Sequence, residues 1–520
     1  MNNSKQKILW VDDEIDLLES HIIYLRDRGY NVICENSGED AIERCSNEDI
    51  DLVLLDEMMT GMDGLSTLRI IKDKYPDIPV ILVTKSEEEW LMDEAISEKI
   101  SNYLIKPVNP SQILIACKRI LDDSKIANDK ITKDFLKYYS TIQNLNIHNL
   151  DYDDWTEIFD NLCDWFIKLE DYDNGSFTEM LFEQKSILNK QFSNFIKNNY
   201  QTWIKKPLER PNISSDIFKN TLKPIIEKNN RLVFIIIDCL RFDQWKKIST
   251  LFNQGVTVKE DFHLALLPTA TPFARNAIFS GSLPSELKNE EEILWKKMFI
   301  DKEFNKYEQE LFENLLLKNN LGDKNFSYIK ISDFKNGQKL LNKINDYKSA
   351  DVLGIVVNFV DMLGHTRSES QIIKELIPNE SAYRQSIFNW FQNSWLSDCI
   401  NEFLNWDADI VITSDHGNTI VDKPVLVKAD KTSSSGVRYK YGRNLNINSK
   451  ECLKISDPEL YGLPKIDINT QYVISGENNF FVYSNQYHKY SNLYKGSFQH
   501  GGISMDEMIL PVGILIGKGK

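Results

Sequence analysis

The chain has 520 residues, of which 42% are hydrophobic and 27% are charged, and its formal net charge is −16 at pH 7. This length and balance predict two to four globular domains and exclude extended disorder. The acidic charge argues against duplex DNA as a direct target, because no basic field would draw the protein to a phosphate backbone.

No secretory signal is recognisable near the N-terminus, and the apolar run LVFIII at 232–237 is too short to cross a bilayer. We therefore expect a cytoplasmic protein with no membrane association. The cysteines lack any C-x-x-C spacing, which is typical of buried thiols in a reducing compartment rather than of disulfides or a thiolate zinc site. They are Cys34, Cys45, Cys117, Cys163, Cys239, Cys399 and Cys452.

Residues 1–122 alternate short apolar segments with amphipathic helical ones. The five apolar segments are KILWV, YNVICE, DLVLL, PVILV and NYLI. This alternation predicts an α/β domain with a doubly wound, five-stranded parallel sheet. In such sheets, ligands bind at the carboxyl ends of the strands.

Polar residues follow four of these five segments. Asp12 and Asp13 follow the first, Asp56 the third, Thr84 the fourth and Lys106 the fifth. Three crowded carboxylates repel one another, and Mg²⁺, which prefers oxygen ligands, would relieve that repulsion. The pattern predicts a site for a cation and a phosphoryl group.

This constellation resembles the receiver domain of two-component response regulators. The resemblance implies that Asp56 accepts the phosphoryl group from a sensor histidine kinase, and that Asp13, Asp56 and the main chain of Met58 hold Mg²⁺ beside Asp12. It also implies that Thr84 and Lys106 bind phosphoryl oxygens, that Tyr103 switches with Thr84, and that the Lys106–Pro107 bond is cis. Two departures are Thr60 in place of a proline and Lys85 in place of a small residue. A flavodoxin-like domain with coincidental carboxylates is the alternative.

Residues 123–208 lack proline before Pro207 and contain a single glycine, Gly175, while apolar residues recur at helical spacing. We expect a helical bundle that serves as a relay or a dimerisation surface, with Asp154 as a cap of its second helix. Six aromatic residues are interpreted as bundle core, with an aromatic ligand box as the alternative: Trp155, Phe159, Trp165, Phe166, Phe195 and Trp203.

Residues 209–520 return to an α/β pattern. Three apolar runs end at Asp238, Asp361 and Asp415. Such runs favour parallel strands buried on both faces. Histidines lie near these acids or near glycines: His365, His416 and His500. The remaining histidines, His21, His148, His263 and His488, lack such partners and are interpreted as structural or surface residues.

Imidazole and carboxylate together favour Zn²⁺ or a similar transition ion. Six such ligands exceed the needs of one catalytic zinc, so two neighbouring metals are the simpler interpretation. Thr271 precedes a proline at the start of a predicted helix, and metal coordination would activate its hydroxyl as a nucleophile.

The motifs IIIDCLRFDQW, LPTATP, DMLGH, SDHG and QHGG together resemble the PglZ-type members of the alkaline phosphatase superfamily. The resemblance implies one metal held by Asp238, Thr271, Asp415 and His416, and a second held by Asp361, His365 and His500. Helix caps and satisfied core histidines are the alternative.

A receiver followed by a helical segment and a PglZ-type domain resembles the PorX family of response regulators, which is linked to type IX secretion in Bacteroidota. The resemblance implies zinc, phosphodiesterase activity on linear or cyclic oligonucleotides, and dimerisation on phosphorylation. It implies as partners a sensor histidine kinase and a sigma factor or secretion component.

The segment SSSGVRYKYGRNL interleaves Arg438, Lys440 and Arg443 with Tyr439 and Tyr441. Basic residues for phosphate and aromatic residues for base stacking suit a nucleotide substrate. A solvated loop or edge strand is the alternative.

Arg275 and Asn276, close to Thr271 in the sequence, are weaker candidates for contacts to phosphoryl oxygens. Three functions remain in competition: a nucleotide phosphodiesterase, a phosphomonoesterase, and a binding module that the metals only stabilise. Thr271 favours an enzyme, because a scaffold does not need a hydroxyl group there.

Overall fold

The structure is a computed structural model with two compact units, Met1–Asn146 and Ile147–Lys520. It describes residues 6–85, 100–121, 130–170, 176–228, 231–252, 256–428, 434, 436–447, 452–484 and 487–516. The division differs from the predicted boundaries at 122 and 208. Helix Lys130–Gln143 belongs to the first unit, and the other two helices of the expected bundle belong to the second.

The first unit contains the predicted five-stranded parallel sheet, in the order β2-β1-β3-β4-β5. Its strands are β1 Lys7–Val11, β2 Asn31–Glu35, β3 Leu52–Asp56, β4 Val80–Thr84 and β5 Asn102–Ile105. Its described helices of more than one turn are Glu19–Asp27, Gly38–Asn47, Gly64–Lys74, Pro110–Leu121 and Lys130–Gln143. Strands β3 and β4 are buried along their whole length, as strands covered on both faces must be.

The second unit is built on a six-stranded sheet in the order β7-β18-β10-β6-β9-β8. Its strands are β6 Arg231–Ile237, β7 Thr257–Leu264, β8 Phe326–Ile331, β9 Val352–Val357, β10 Ala408–Thr413 and β18 Ile509–Ile516. Strands β6, β8, β9 and β10 are parallel, whereas β18 runs antiparallel to both β10 and β7. The carboxyl ends of β6, β9 and β10 therefore meet at one edge of the sheet.

Smaller sheets flank this edge. Their strands are β11 Thr419–Ile420, β12 Lys423–Val427, β13 Tyr439–Gly442, β14 Cys452–Ile455, β15 Gln471–Ser475, β16 Asn479–Tyr483 and β17 Phe498–Gln499. The described α-helices of the second unit are Tyr152–Leu169, Ser176–Lys205, Lys223–Glu227, Phe242–Ser249, Thr271–Ser280, Leu287–Glu290, Glu292–Trp295, Glu308–Lys318, Phe334–Asn342, Phe359–Glu369, Gln371–Leu376, Glu380–Gln392, Trp395–Asn405, Tyr487–Tyr494 and Met505–Met508.

The helix Tyr152–Leu169 begins differently from the expectation. Asp151 is its N-cap, and Asp154 completes a capping box by accepting a hydrogen bond from the Asp151 main-chain N–H. Of the six predicted core aromatics, four are buried, whereas Phe195 and Trp203 are half-buried and line a cavity of about 610 Å³.

All seven cysteines are free thiols, and six of them are buried. None of the described helices is long and apolar enough to span a membrane.

Candidate active site and receiver site

The predicted acidic pocket of the first unit is assembled at the ends of β1 and β3. One carboxylate oxygen from each of Asp12, Asp13 and Asp56 lies within 4.8 Å of the others. Lys106 Nζ lies 2.9 Å from Asp12 Oδ2 and 2.8 Å from Asp56 Oδ1. Burial raises the pKa of Asp56 to about 6, although its hydrogen bond with Lys106 opposes the shift. These three carboxylates can hold a divalent cation.

The other predicted receiver residues surround this pocket. Thr84 is buried and donates a hydrogen bond to Glu57 Oε2 at 3.3 Å, while Tyr103 is partly exposed. The Lys106–Pro107 bond is cis, as the resemblance implies. The Thr60 main-chain N–H donates to Asp13, and Lys85 lies 3.9 Å from Glu14. The departures at Thr60 and Lys85 therefore both stand beside the acidic pocket. Met58 is exposed at the same loop.

In the second unit, Asp238 follows β6, while Asp415 and His416 follow β10, so the parallel strands bring them together. One ligand atom from each lies within 4.8 Å of the other two, and all three residues are buried. His416 Nδ1 donates a hydrogen bond to the Gly417 carbonyl at 3.1 Å, because a carbonyl oxygen can only accept. Its Nε2 lone pair is left facing Asp238 Oδ1 at 3.7 Å.

A second cluster contains Asp361, His365 and His500, again with ligand atoms within 4.8 Å of one another. Asp361 and His365 lie one turn apart on helix Phe359–Glu369, so both side chains can face one ion. His500 Nδ1 donates to the Thr269 carbonyl at 3.2 Å, which leaves its Nε2 facing Asp361 Oδ1 at 3.8 Å. The His416 and His500 rings stack with centroids 4.2 Å apart, so the two clusters adjoin.

The protonation of these residues suits metal ligands. Burial lowers the pKa of His416 and lowers that of His500 to about 4, so both rings are neutral at pH 7. Burial works to raise the pKa of Asp361, but the hydrogen bond with His365, together with the interactions of Asp361 with the neighbouring imidazoles, outweighs it and lowers that pKa. Asp238 Oδ1 is buried without a hydrogen-bond partner in the described part of the chain, which is the condition of an oxygen that can still bind a cation.

Thr271 is the first residue of helix Thr271–Ser280, and its Oγ1 lies 3.0 Å from His416 Nε2. The hydroxyl group therefore points at the first cluster. Six of the seven residues predicted to hold metals form two adjoining groups, and Thr271, the seventh, lies at their edge.

Arg275 and Asn276 are placed differently from the expectation. Both are buried, and the Arg275 guanidinium is engaged by Asp238, Asp415 and Glu308. Asn276 donates to the Pro272 carbonyl of its own helix at 2.8 Å. Arg275 therefore balances the charge of the first cluster, and neither side chain is presented to a phosphoryl group.

Arg438 and Lys440 are also placed differently. Arg438 is fully buried and pairs with Glu507 through Nε at 2.8 Å and Nη2 at 2.7 Å. Lys440 is buried over the ring of Tyr483, 4.7 Å from its centroid. Neither cation is exposed, and the contact of either one with a substrate phosphate stays a prediction.

The aromatic half of that segment does face the site. Tyr439, Tyr441 and Phe273 line a cavity of about 720 Å³, together with Pro272, Phe299, Phe304, Lys302, Arg443 and other residues. A Cβ atom on Gly501, beside His500, would lie 2.4 Å from the Tyr439 ring. The cavity therefore lies between the start of the Thr271 helix and the His500 loop.

Sequence reasoning missed Glu507, which is fully buried and joins several parts of the site. Its carboxylate accepts hydrogen bonds from Arg438, from Ser504 and, at 2.8 Å, from the Gly502 main-chain N–H. His263, interpreted from the sequence as a structural or surface residue, is buried, and its ring bonds the Ser414 carbonyl at 3.0 Å. No local pattern distinguishes this glutamate from a surface residue.

The receiver pocket, together with two adjoining clusters of candidate metal ligands at the carboxyl ends of β6, β9 and β10, is typical of a response regulator with a phosphoesterase-like output unit. The family model described as "BREX system PglZ alkaline phosphatase-like domain" matches residues 217–514, more than half of the chain, and the chain belongs to this family. Residues 8–118 match the response regulator receiver domain, and residues 125–204 match the PorX response regulator linker domain. Along the chain, the receiver, linker and PglZ matches follow one another in the architecture of PorX response regulators, which confirms the predicted family.

Individual relatives match the receiver region. The chain is 32% identical over 133 residues to the transcriptional regulatory protein ZraR of Klebsiella oxytoca, covering 26% of this chain and 30% of ZraR. It is 30% identical over 122 residues to the alkaline phosphatase synthesis transcriptional regulatory protein PhoP of Bacillus subtilis, covering 24% of this chain and 51% of PhoP. The match thus spans about a third to a half of these relatives.

Among solved structures, a CheY-like response regulator receiver domain protein from Methanospirillum hungatei is 28% identical, with a TM-score of 0.23, and the match covers 24% of this chain and 98% of that one. A receiver domain implies a histidine kinase as partner and binds Mg²⁺, and alkaline phosphatase-like domains depend on metal ions.

Proposed function

We propose that the second unit is a zinc-dependent phosphodiesterase that acts on linear or cyclic oligonucleotides, and that phosphorylation of Asp56 controls it. The observation that supports this proposal most directly is the position of the Thr271 hydroxyl, 3.0 Å from His416 Nε2 and at the edge of two metal-binding clusters. A scaffold that only bound metal would not need a hydroxyl group there.

The donor atoms fit two zinc ions. Asp238, Asp415, His416 and Thr271 would hold the first, and Asp361, His365 and His500 the second. Two fixed tautomers, each with an unprotonated Nε2, and an unpartnered buried carboxylate oxygen support this assignment. When bound, zinc would lower the pKa of the threonine hydroxyl and offset negative charge on the phosphoryl oxygens.

The remaining steps follow from the residues of the chain. Thr271 Oγ1 would form a bond to phosphorus as the bond to one ester oxygen breaks, and that alcohol would leave with the hydroxyl proton. Water would then cleave the Thr271 phosphoester, which restores the hydroxyl and releases a monoester. The Thr271 main chain begins a ten-residue helix, whose dipole favours a developing negative charge.

A nucleotide diester fits the surroundings of Thr271 better than a small monoester. The dianion of a monoester calls for an additional cation close to the metals, and Arg275 is occupied by Asp238 and Asp415. The 720 Å³ cavity beside Pro272 has the aromatic walls on which a base stacks. Lys302 and Arg443 line the same cavity and would bind a more distant phosphate, Arg443 from its exposed ion pair with Asp467.

We further propose that the phosphorylated protein forms a homodimer and acts on a sigma factor or a component of type IX secretion. The match of residues 125–204 to the PorX linker domain supports this proposal. Light scattering with and without a small phosphodonor and Mg²⁺ tests the dimer. A molar mass that is the same with and without phosphorylation would exclude phosphorylation-dependent dimerisation.

The activity is tested with the full chain, zinc, a linear dinucleotide and the corresponding mononucleotide. Wild type should cleave the diester faster than the monoester. Thr271→Val should lower diester turnover by several orders of magnitude while most of the zinc is retained, whereas His500→Ala and Asp361→Asn should each lose zinc as well.

The alternatives give different results. Comparable rates on both esters would indicate a phosphomonoesterase. Full zinc content without any turnover in wild type would indicate a metal-stabilised binding module.

A further inference from the structure

The long helix Ser176–Lys205 has an unusual buried face. Lys185, Asn189 and Ser193, each four residues apart and hence on one side of the helix, are 5%, 1% and 1% exposed. Burying a lysine is unfavourable unless its charge is paired. Lys185 and Asn189 have polar partners that show what the helix supports, whereas Ser193 Oγ is buried without a hydrogen-bond partner among the described residues.

Lys185 is paired with two acids from distant parts of the chain. Its Nζ lies 2.9 Å from Glu380 Oε2 and 2.9 Å from Asp506 Oδ1. Arg241, three residues after Asp238, shares the same acids, at 2.9 Å from Glu380 and 3.7 Å from Asp506. The helix is thus joined by buried ion pairs to the chain that leaves β6 at the first metal cluster.

Asn189 binds Met505, the residue directly before Asp506. Its Oδ1 accepts a hydrogen bond from the Met505 main-chain N–H at 2.9 Å, and both groups are buried. Together Lys185 and Asn189 fix residues 504–508, which we name the 504–508 turn. A side chain and a main-chain group of this turn are held by one face of one helix.

The 504–508 turn contacts the loop that contains His416 and the loop that contains His500. The Gly417 main-chain N–H, directly after His416, donates to the Glu507 carbonyl at 3.1 Å, and a Cβ on Gly417 would lie 1.9 Å from the Asp506 carbonyl oxygen. The Glu507 carboxylate accepts from the Gly502 N–H, two residues after His500. A displacement of the turn would therefore move His416 and His500 together.

We infer that helix Ser176–Lys205 is a positioning element of the metal centre, with Lys185 and Asn189 as positioning residues that act through the 504–508 turn. The inference rests on the metal centre of the proposed function. It gives this helix of the second unit a defined task, which is to set the spacing of metal ligands rather than to contact substrate.

The test uses the full chain and compares Lys185→Met with Lys246→Met. Lys246 also joins the helix Tyr152–Leu169 to the helix Phe242–Ser249, through Asp160 and Asp164, but no described contact links it to the turn. The measurements are the zinc dissociation constant, the visible spectrum of the cobalt(II)-loaded protein, and kcat and KM for a dinucleotide.

Lys185→Met should weaken zinc binding about tenfold or more, shift the cobalt spectrum and lower kcat, with KM within about twofold of wild type. Lys185→Arg should restore most of these values. Lys246→Met should change thermal stability only. Asn189→Leu, compared with Asn189→Asp, which keeps the acceptor, repeats the test if Lys185→Met does not fold.

An unchanged zinc affinity and cobalt spectrum in folded Lys185→Met or Asn189→Leu protein would overturn the inference and leave the proposed function intact. A wild type that binds neither zinc nor cobalt would overturn both. Because the metal measurements need no turnover, the two failures are distinguishable.

Discussion

Replacing Arg438 with methionine is expected to loosen the His500 loop rather than remove a substrate contact. The guanidinium is fully buried, pairs with Glu507 through two hydrogen bonds of 2.8 and 2.7 Å, and donates to the Glu477 carbonyl at 2.7 Å. Breaking a buried ion pair by removing one partner typically costs about 3–5 kcal/mol, because the other charge is left uncompensated. We expect a loss of that size in the free energy of unfolding of the second unit.

The loss should reach the metal because Glu507 also holds the Gly502 N–H. Arg438→Met should therefore weaken zinc binding and lower turnover of nucleotide and small diesters by similar factors. Urea unfolding with and without a chelator, zinc titration and kinetics on both substrates measure these effects. Arg438→Met combined with Glu507→Gln should recover part of the stability, because no buried charge is then left alone.

A different result would refute this structural role of Arg438. If Arg438→Met unfolds within about 1 kcal/mol of wild type and loses kcat/KM only toward nucleotides, the buried pair with Glu507 is unimportant. Arg438 would then contact the substrate.

Three other predictions concern separate parts of the molecule. Asp56→Asn should abolish the phosphoryl adduct formed with a small phosphodonor and Mg²⁺ while leaving zinc content unchanged; mass spectrometry and metal analysis check this, and an undiminished adduct would contradict it. Gly417→Ala should sharply reduce zinc affinity, because its Cβ would meet the Asp506 carbonyl oxygen at 1.9 Å, whereas Gly354→Ala, whose Cβ would meet side chains no closer than 3.4 Å, should be tolerated in the same titration. Lys440→Met should stabilise the protein at pH 7. Burial lowers the pKa of Lys440 from 10.5 to about 8, so the folded state binds that proton less tightly than the unfolded chain does, and wild type is penalised below pH 8 by up to about 3 kcal/mol. Wild-type stability should rise relative to Lys440→Met from about pH 8 to 10.5, and parallel pH profiles of thermal unfolding would refute this.

The predictable part of the site comes from local patterns. Asp238 and Asp415 end apolar runs, and parallel strands bring their carboxyl ends to one edge regardless of what lies between them in the sequence. Asp361 and His365 are four residues apart in the sequence, and helix Phe359–Glu369 places them one turn apart on the same side. Thr271 was recognisable from the proline and predicted helix that follow it.

The basic-aromatic segment shows where such reasoning fails. Tyr439 and Tyr441 belong to β13, and successive residues of a strand point to opposite faces, so residues two apart share a face. Interleaving therefore separates the tyrosines, which line the cavity, from Arg438 and Lys440, which are buried. The composition suggested one ligand-binding surface, but strand geometry assigns its two halves to different sides.

The helices of the predicted middle region were recognisable from the sequence, but their distant partners were not. The contacts that join helix Ser176–Lys205 to the second unit link residues hundreds of positions apart, such as Asn189 with Met505. Periodicity identifies each helix and its apolar face, but it contains no information about distant polar partners. A buried lysine such as Lys185 looks like any solvated lysine until its partners are known.

The position of β18 has a consequence for how the protein is made. Strands β7 and β10 each pair with β18 and not with each other, so the six-stranded sheet stays incomplete until residues 509–516 have left the ribosome. The sheet of the first unit needs no residue beyond Ile105. Domains generally fold in the order of their synthesis, and contacts distant in sequence form slowly. We therefore expect the receiver sheet to form before the six-stranded sheet of the second unit. Translation that stops before residue 509 would leave a folded receiver joined to an incomplete second unit.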